Sequence, residues 1–450
     1  MKKLLLIILV LFSALVTSAQ KTERCGAIHW RNKLITHDPA NAALMQQYKT
    51  KWAQKVKAFS AIKSQSVAKT TATTVIPVVF HVILNTSQIN NMGGTTGLYT
   101  RIAKQMDVLN ACFNGRNTDS AQIYPGFKPL YGNANMTFGI AHRKPDGTGT
   151  DGIELRITTL DGFDEGGTMG SQSGYSDAKY YSSGGLDAWD VTKYLNIWVL
   201  SDPVPGIAGV TTPVEALSWG TPVVELGIAL FYPVVGDGTG GGFYGADYNR
   251  GHTLVHEAGH FFGLYHIWGD DGGLCPNNGG DDDGIDDTPP QADESFGTLT
   301  APQFDNCSAS GNGIMFMNFM DYASDVSTHM FSKDQATAMQ QSVQPTEYLY
   351  SLTQHPELIQ WPTDVKSLEK ETNFSIAPNP TTGTVNIFFN QKAGTLNSVN
   401  VTDITGRNIL QLYPTETGHL TFDLAGFAKG TYLVQCIFDS GIITKKISLQ

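Results

Sequence analysis

A run of residues that begins with His256 and reads His-Glu-Ala-Gly-His-Phe-Phe-Gly-Leu-Tyr-His has three imidazoles and one carboxylate at the spacing that a zinc hydrolase needs. On an α-helix His256 and His260 fall on one face, about 40° and one turn apart, so both rings can reach one ion. Glu257 lies beside them and can act as general base towards a water on that ion. Gly263 can take the left-handed conformation that ends helices, and the turn would return His266 as a third ligand. Three neutral imidazoles leave the fourth zinc position open, which is typical of catalytic zinc sites.

A methionine-containing segment, Asn318-Phe319-Met320-Asp321-Tyr322, follows downstream. The histidine run alone could be a buried amphipathic helix whose imidazoles bond to neighbours. Its fixed positions, however, match the metzincin pattern, in which a methionine turn follows the zinc motif. The chain resembles the pappalysin family of metzincin zinc metallopeptidases over about residues 74–352. The resemblance rests on both segments and on residues 286–289 and 330–335.

This resemblance implies an α+β fold of the metzincin type, with a twisted sheet and an active-site helix above a loop-rich lower subdomain. It implies that Met320 forms an apolar floor beneath the metal, and that Tyr322 hydrogen-bonds the oxyanion of the tetrahedral intermediate. It also implies cleavage before Arg or Lys, for which Asp325 would form the base of an acidic primed-side pocket.

The elements that hold these residues can be predicted from apolar periodicity. We expect a helix over 99–113 and strands over 75–84, 135–141, 195–200 and 231–235. Such a mixture of strands and long helices fits α+β architecture. His81 alternates with apolar residues in the first strand, so we expect it to be structural. The glycine-rich run 236–245 lacks the Lys-Ser/Thr ending of a phosphate-binding loop and reads as a flexible connection.

The N-terminus predicts export. Lys2 and Lys3 precede the apolar run 4–16, and small residues follow it, so residues 1–19 read as a secretory signal peptide cleaved before Gln20. The run is short for a membrane span, and an uncleaved anchor or a lipoprotein is the alternative. No second apolar stretch suggests a transmembrane helix.

Residues 20–73 then read as a propeptide, with helical composition over 40–61 and a polar processing linker over 64–74. Cys25 lies in an Arg-Cys-Gly sequence just inside the expected mature N-terminus. A thiolate is a strong zinc ligand, so Cys25 could occupy the open zinc position and keep the enzyme latent. Family members use such a cysteine switch; an incidental thiol is the alternative.

The 450-residue chain has a net charge of −11, which argues against nucleic acid as a partner. No Lys or Arg occurs from Gly251 to Ser332, so an acidic rim around the cleft would favour basic peptides. The acidic stretch 281–289 is not an EF-hand, but it resembles the family's calcium-binding segment. Its candidate calcium ligands are Asp283, Asp286, Asp287 and Thr288. A solvated acidic loop is the alternative.

Five cysteines cannot all pair within one chain. Cys275 and Cys307 bracket the acidic loop and are the best disulfide candidates, because closing such a loop would contribute about 3–4 kcal/mol. Pappalysins typically have a second, crossed disulfide here, but Ser327 stands where its cysteine is usual. Cys112 and Cys436 read as small core residues.

After the predicted catalytic domain, 74–353, the character changes. A polar linker over 354–372 precedes an all-β segment, 373–450, expected to be a small β-sandwich. Residues 378–383, 403–407 and 429–434 resemble the C-terminal sorting domain of type IX secretion. That resemblance implies passage through the type IX machinery, with release or outer-membrane surface anchoring. A carbohydrate-binding or adhesion sandwich is the alternative.

We therefore expect a secreted, extracellular zinc endopeptidase that is made as a latent zymogen and acts as a monomer on peptide or protein substrates. Glu257 would be the general base towards a zinc-bound water. Two other classes stay open: a zinc-containing adhesion or binding protein with weak catalysis, and another zinc hydrolase such as an esterase. The sequence specifies neither the physiological substrate nor the strand that binds it.

Overall fold

The computed structural model describes residues 23–65, 74–159, 163, 176–201, 207–239, 247–270, 272–360, 374–390, 395–404, 406–414, 418–438 and 441–450. The predicted signal peptide lies outside these residues. So do most of the predicted processing linker, part of the glycine-rich run and most of the linker before the C-terminal segment. Among the described residues, no helix is both long and apolar enough to cross a bilayer.

Within the part of the chain that the structure describes, seven strands form one mixed sheet. They are β1 (Glu23–Cys25), β2 (Thr74–Leu84), β3 (Met136–Ile140), β4 (Ile153–Ile157), β5 (Leu195–Leu200), β6 (Ile207–Thr212) and β7 (Gly227–Phe231). The order is β1-β6-β7-β5-β2-β3, and β4 also pairs with β2. Strands β2, β3, β4, β5 and β7 are parallel, whereas β6 is antiparallel to β7. The short β1 pairs with β6 in parallel, so β6 would be the edge of the sheet without it.

Among the described residues, six α-helices accompany the sheet. They are α1 (Ala27–His37), α2 (Ala40–Gln65), α3 (Thr86–Asn91), α4 (Gly94–Phe113), α5 (His252–Phe261) and α6 (Lys333–Ser342). The buried face of α4 packs against β3 and α5, and α5 packs against β6 and β7. Helix α6 begins with a capping box in which the Ser332 side chain accepts from Gln335 N and the Gln335 side chain accepts from Ser332 N. The active-site helix α5 is therefore held between the sheet and α4.

The segment between α5 and α6 contains turns and isolated bridges in place of long elements. A disulfide joins Cys275 to Cys307, with Cα atoms 5.3 Å apart. At the position where a second disulfide is usual, Ser327 Oγ accepts a hydrogen bond from Leu299 N at 2.9 Å. The expected α+β metzincin-type fold, with a loop-rich lower part, is confirmed.

The C-terminal segment is all-β, as expected. Its strands are β8 (Ser375–Ala377), β9 (Thr384–Phe388), β10 (Leu396–Asp403), β11 (Asn408–Leu412), β12 (His419–Asp423), β13 (Gly430–Phe438) and β14 (Gly441–Leu449). They form a four-stranded sheet, β11-β10-β13-β14, and a three-stranded sheet, β12-β9-β8. Residues of both sheets, such as Ile387 and Val434, share one apolar core. Cys436 lies in that core, and Cys112 lies in the core of the larger unit.

Two details differ from the sequence-based expectation. The strand predicted over 231–235 is wrong, because β7 ends at Phe231 and a short 3-10 helix, Tyr232–Val234, follows. Pro233 explains the difference, since it cannot donate a main-chain hydrogen bond to a neighbouring strand. Packing also continues past residue 353: Leu358 is buried, and its carbonyl accepts from His142 N at 2.7 Å.

His81 is buried within the sheet, between Glu154 at 2.9 Å and Asn196 at 2.8 Å.

Candidate active site

Three histidine nitrogens converge at the end of α5. The Nε2 atoms of His256 and His260 are 3.1 Å apart, those of His260 and His266 are 3.0 Å apart, and those of His256 and His266 are 3.3 Å apart. Three nitrogens that each bind one tetrahedral zinc at about 2.0–2.1 Å would be about 3.3 Å apart. The triangle therefore has the size that a single zinc ion requires.

The opposite ring nitrogens show why these three atoms need a cation. Nδ1 of His256 donates to Phe319 O at 2.7 Å, and Nδ1 of His260 donates to Leu264 O at 2.8 Å. Nδ1 of His266 lies 2.7 Å from Asp270 Oδ1. Burial lowers the pKa of His260 to about 3, which favours the neutral ring. With the proton on Nδ1, three Nε2 lone pairs point at one another, which repels unless a metal ion binds between them.

The turn after α5 brings His266 back to its partners. Helix α5 ends at Phe261, and Gly263 has a φ of 90°, in the left-handed region that glycine favours. Leu264 N then donates to Gly259 O at 3.0 Å, which closes the turn. The predicted role of Gly263 in redirecting the chain agrees with this geometry.

Cys25 completes a fourfold cluster. Its Sγ and the three histidine nitrogens all lie within 4.8 Å of one another, the only such group of His, Cys, Asp or Glu atoms found among the described residues. The residue lies in β1, where Cys25 pairs with Gly209 of β6 and Gly26 N donates to Gly209 O at 2.8 Å. Burial and the nearby Glu257 raise the pKa of the Cys25 thiol, so its thiolate needs a positive partner there.

Glu257 lies in a pocket built by β6. Thr211 Oγ1 is 2.8 Å from Glu257 Oε2 and 2.7 Å from Glu257 O. Burial raises the pKa of Glu257 to about 8, although the Thr211 hydrogen bond and the charge of Arg24 oppose the rise. A Cβ on Gly209 would lie 2.9 Å from Glu257 Cγ, so only glycine leaves room for this side chain. A group with this pKa can accept a proton and return it near neutral pH.

The methionine segment packs under the cluster. A Cβ on Gly259 would lie 2.5 Å from Met320 Sδ, so Met320 contacts the backbone of α5 between His256 and His260. The Tyr322 ring lies 5.0 Å from that of His266, and its hydroxyl donates to Cys25 O at 3.0 Å. Tyr322 thus holds a peptide carbonyl beside the histidines.

Asp325 and Arg24 form a buried ion pair. The Arg24 guanidinium lies 2.9 Å from Asp325 Oδ1, and both side chains have 0% exposure. It also donates to Ala323 O and lies 4.9 Å from the centre of the Tyr248 ring. Asp325 Oδ2 accepts from Arg250 N at 2.7 Å, which fixes the carboxylate. This buried acidic pocket has the chemistry to bind a guanidinium.

The four candidate calcium ligands do not converge in the same way. The Thr288 hydroxyl donates to Asp283, at 2.9 Å from Oδ1, and Asp287 Oδ2 accepts from Asp334 N at 3.1 Å. Burial raises the pKa of Asp283 well above its usual range. Asp286 joins neither of these bonds among the described contacts. The carboxylates of Asp283, Asp286 and Asp287 do not form a close cluster within the described part of the chain.

Sequence reasoning missed several contributors to the site. Asp270 is four residues after His266, and a carboxylate behind a histidine ligand is a common arrangement that could have identified it. Gly209 and Thr211 lie in β6, far from the histidines in sequence, and nothing local in the sequence distinguishes them. Arg24 stands out in the sequence only as a neighbour of Cys25, and nothing near either residue indicates its pairing with Asp325.

Comparisons with known proteins agree with this geometry. The family model described as Pregnancy-associated plasma protein-A matches residues 182–344, and the model described as secretion system C-terminal sorting domain matches residues 375–450. A promirolysin mutant from Tannerella forsythia is 30% identical with a TM-score of 0.62, and the match covers 75% of this chain and 99% of that one. Mature mirolysin from the same organism, solved with a cleaved peptide, is 33% identical with a TM-score of 0.56; the match covers 65% of this chain and 100% of that one.

Curated relatives match over shorter stretches. An extracellular metalloprotease of Neurospora crassa is 34% identical over 147 residues, which is 33% of this chain and 47% of that protein. One from Arthroderma benhamiae is 38% identical over 107 residues, 24% of this chain and 34% of that protein. The chain thus spans less than half the length of these relatives. Taken with the near-complete match to the mirolysin structures, the sequence and the histidine cluster place this chain in the pappalysin family of metallopeptidases, with a type IX sorting domain at its C-terminal end.

Proposed function

We propose that this protein is a secreted zinc endopeptidase made as a latent zymogen. The observation that carries the proposal is that Tyr322 holds the carbonyl of Cys25, a peptide group, beside three converging imidazole nitrogens and the Glu257 side chain. Peptide hydrolysis needs these groups: a metal site, a base and a donor near the carbonyl. His256, His260 and His266 would hold zinc, which when bound lowers the pKa of a water and polarises a substrate carbonyl.

The chain's own residues would then move the proton and stabilise charge. Glu257 would take a proton from the attacking water and deliver it to the leaving amine. The Tyr322 hydroxyl, which donates to Cys25 O in this structure, would donate to the oxyanion of a bound substrate. Strand β6 would bind the substrate main chain by strand addition, because it is the sheet edge once β1 leaves.

Latency would come from residues 20–73. Strand β1 runs parallel to β6, whereas a peptide bound antiparallel to this edge would run the other way. Cys25 would therefore be a fourth zinc ligand that blocks the open position. It would do so on a chain that runs opposite to a bound substrate, so no peptide bond would lie in the orientation that is cleaved. Release of this segment would open the site to substrate.

The pocket of Asp325 supports a preference for Arg or Lys on the primed side. Strand β1 runs opposite to the direction of a bound substrate. Arg24, which precedes Cys25 in β1, therefore lies on the primed side of the site, where the residue after a scissile bond would lie. The pocket surrounds its guanidinium with a carboxylate, a carbonyl and an aromatic ring. A substrate arginine would find the same partners.

Other assignments remain part of this proposal. Calcium in the segment 281–289 would rest on the density of carboxylates in that stretch, since its candidate ligands do not converge in this structure. The domain boundaries would be those given above, with a signal peptide over 1–19 and a sorting domain over 373–450, except that the catalytic part would include the buried Leu358. The sorting domain supports handling by the type IX machinery, followed by release or surface attachment. We expect the mature enzyme to act as a monomer.

Glu257→Ala tests the proposed chemistry. We expect the trimmed variant to keep its zinc, because the three histidines are unchanged, and to lose about 10²- to 10⁴-fold in kcat. Metal content measured by mass spectrometry, beside turnover of a peptide, separates loss of the base from loss of the metal. Near-normal turnover with zinc bound would refute the role of Glu257.

A further inference from the structure

Helix α2 of the N-terminal segment lies on the catalytic part as a basic amphipathic helix. Its buried residues Lys49, Trp52 and Val56 are spaced by three and four positions, so they share one face. This face packs against α6 and the short helix Val214–Trp219. The catalytic part therefore has a surface that accommodates a helix of this pattern.

The positive charges lie on one side of this contact and the negative charges lie on the other. Lys49 Nζ lies 2.7 Å from Asp281 Oδ2, and Lys55 Nζ lies 2.8 Å from Glu347 Oε1. Both cations belong to α2 and both carboxylates belong to the surface beneath it. Lys49 Nζ also lies 5.1 Å from the centre of the Tyr265 ring, so the same surface offers an aromatic face to a cation.

The apolar part of the contact is loosely packed. The Trp52 ring fills the space beside Gly263, where a Cβ would lie 2.7 Å from it. A cavity of about 140 Å³ nevertheless remains between the helix and the surface, lined by Met45, Tyr48, Glu215, Trp219, Tyr265 and Leu349 among others. The cavity, which α1 also lines through Ala27 and Ile35, leaves room there for side chains larger than those of α2.

The surface lies on the non-primed side of the active site. The chain after Cys25 leaves β6 at its Thr212 end and passes through α1 to α2, which packs against the short helix Val214–Trp219 just after that end of β6. A substrate that runs antiparallel to β6 would direct the residues before its scissile bond towards the same end. We call the surface formed by Glu215, Gly263, Tyr265, Asp281 and Glu347 the helix-binding surface.

We propose that the helix-binding surface, once α2 has been removed, binds basic amphipathic helical segments of substrates that lie N-terminal to the scissile bond. This inference rests on the proposed function and names the substrate class of the same site. Removal of α2 takes away the two lysines that pair with the Asp281 and Glu347 carboxylates, whose other hydrogen bonds come from neutral groups such as Asp282 N and Gln341 Nε2. The stretch from Gly251 to Ser332, in which Asp281 lies, contains no Lys or Arg that could take the place of these lysines. A basic helix restores both the ion pairs and the apolar contact.

The test compares two synthetic peptides with trimmed enzyme. Both carry the same cleavage sequence with Arg after the scissile bond, and the longer one carries residues 40–62 of this chain at its N-terminal end. Because residues 40–62 contain lysines, initial rates are followed only by the C-terminal product that both peptides release from the shared sequence. The proposal predicts a kcat/KM about tenfold higher for the longer peptide, mainly through KM, because two ion pairs and a tryptophan contact are gained. Higher salt should shrink this difference, since the ion pairs are partly exposed.

Matched variants locate the effect. The Asp281→Asn and Glu347→Gln double variant should lose most of the advantage of the longer peptide and cleave the short one normally. The Asp190→Asn and Glu357→Gln double variant removes the same charge away from α2 and should behave as the wild type. Equal kcat/KM for both peptides, or an equal loss in both double variants, would overturn the proposal.

A binding readout separates this surface from catalysis. A fluorescent peptide of residues 40–62 should bind trimmed Glu257→Ala protein, and the Asp281→Asn and Glu347→Gln changes should weaken binding about tenfold. Absence of binding would overturn the helix-binding surface even if short peptides are cleaved. Binding without cleavage of either peptide by the wild-type enzyme would refute the proposed function and leave the surface supported.

Discussion

The hydroxyl of Thr211 lies 2.8 Å from Oε2 of Glu257 and 2.7 Å from the main-chain oxygen of the same residue. It can donate its proton to an ionised carboxylate. When the carboxyl group carries a proton, the same hydroxyl can accept a hydrogen bond from that group and donate its own to the main-chain oxygen. Thr211 therefore keeps Glu257 in one orientation in both states, and it does so from the strand that would bind the substrate.

Replacing Thr211 tests this relationship. Thr211→Val preserves the shape and removes the hydroxyl, so we expect kcat to fall about ten- to a hundredfold with KM little changed, as for the loss of one hydrogen bond to a charged group. Thr211→Ser keeps the hydroxyl and should restore most of the rate. A valine variant with normal kcat, or a serine variant as slow as the valine one, would contradict this role for Thr211.

Cys25→Ala should give a precursor that cleaves peptides before trimming, because the thiol that completes the ligand set is gone. Turnover of a fluorogenic peptide by freshly purified, full-length precursor measures this. Cys112→Ala is the matched control, since that thiol is buried in the core, and it should stay latent. If the Cys25 variant stays silent until it is trimmed, the switch hypothesis fails.

Asp325→Asn should reduce the preference for Arg or Lys after the scissile bond. A neutral amide keeps an acceptor for Arg250 N but loses the charge that pairs with a guanidinium. We expect kcat/KM for an arginine peptide to fall about 30-fold or more, and that for a matched alanine peptide to change little. An unchanged ratio between the two peptides would show that another residue sets the preference.

Calcium is tested by stability. If residues 281–289 bind calcium, its addition should raise the Tm of the trimmed protein and a calcium chelator should lower it. Asp283→Ala should abolish this response, whereas magnesium should not reproduce it, because it demands stricter geometry. A Tm that is the same with calcium and with chelator would favour a solvated acidic loop.

The sequence predicted the parts of the site that depend on local spacing. His256 and His260 share a helical face at any tertiary arrangement, and Gly263 marks the turn to His266 whatever packs around it. The disulfide between Cys275 and Cys307 could likewise be inferred from the loop that it closes. These features need few long-range contacts to be recognised.

The missed features depend on alignment between distant segments. The position of Thr211 against Glu257 follows from the packing of α5 on β6, and the pair of Arg24 with Asp325 follows from the pairing of β1 with β6. No periodicity within either segment reveals such pairings. The predicted strand over 231–235 was wrong for a local reason. The apolar residues continue past Phe231, where β7 ends, but Pro233 cannot take part in the main-chain pairing.

Cleavage of a peptide library by the trimmed protein, identified by mass spectrometry with and without a zinc chelator, tests the central claim most directly. The account predicts cuts before Arg or Lys that disappear with the chelator and return when zinc is restored. Absence of cleavage by protein that holds zinc and has lost residues 20–73 would contradict it, and would favour a binding role or a non-peptide substrate.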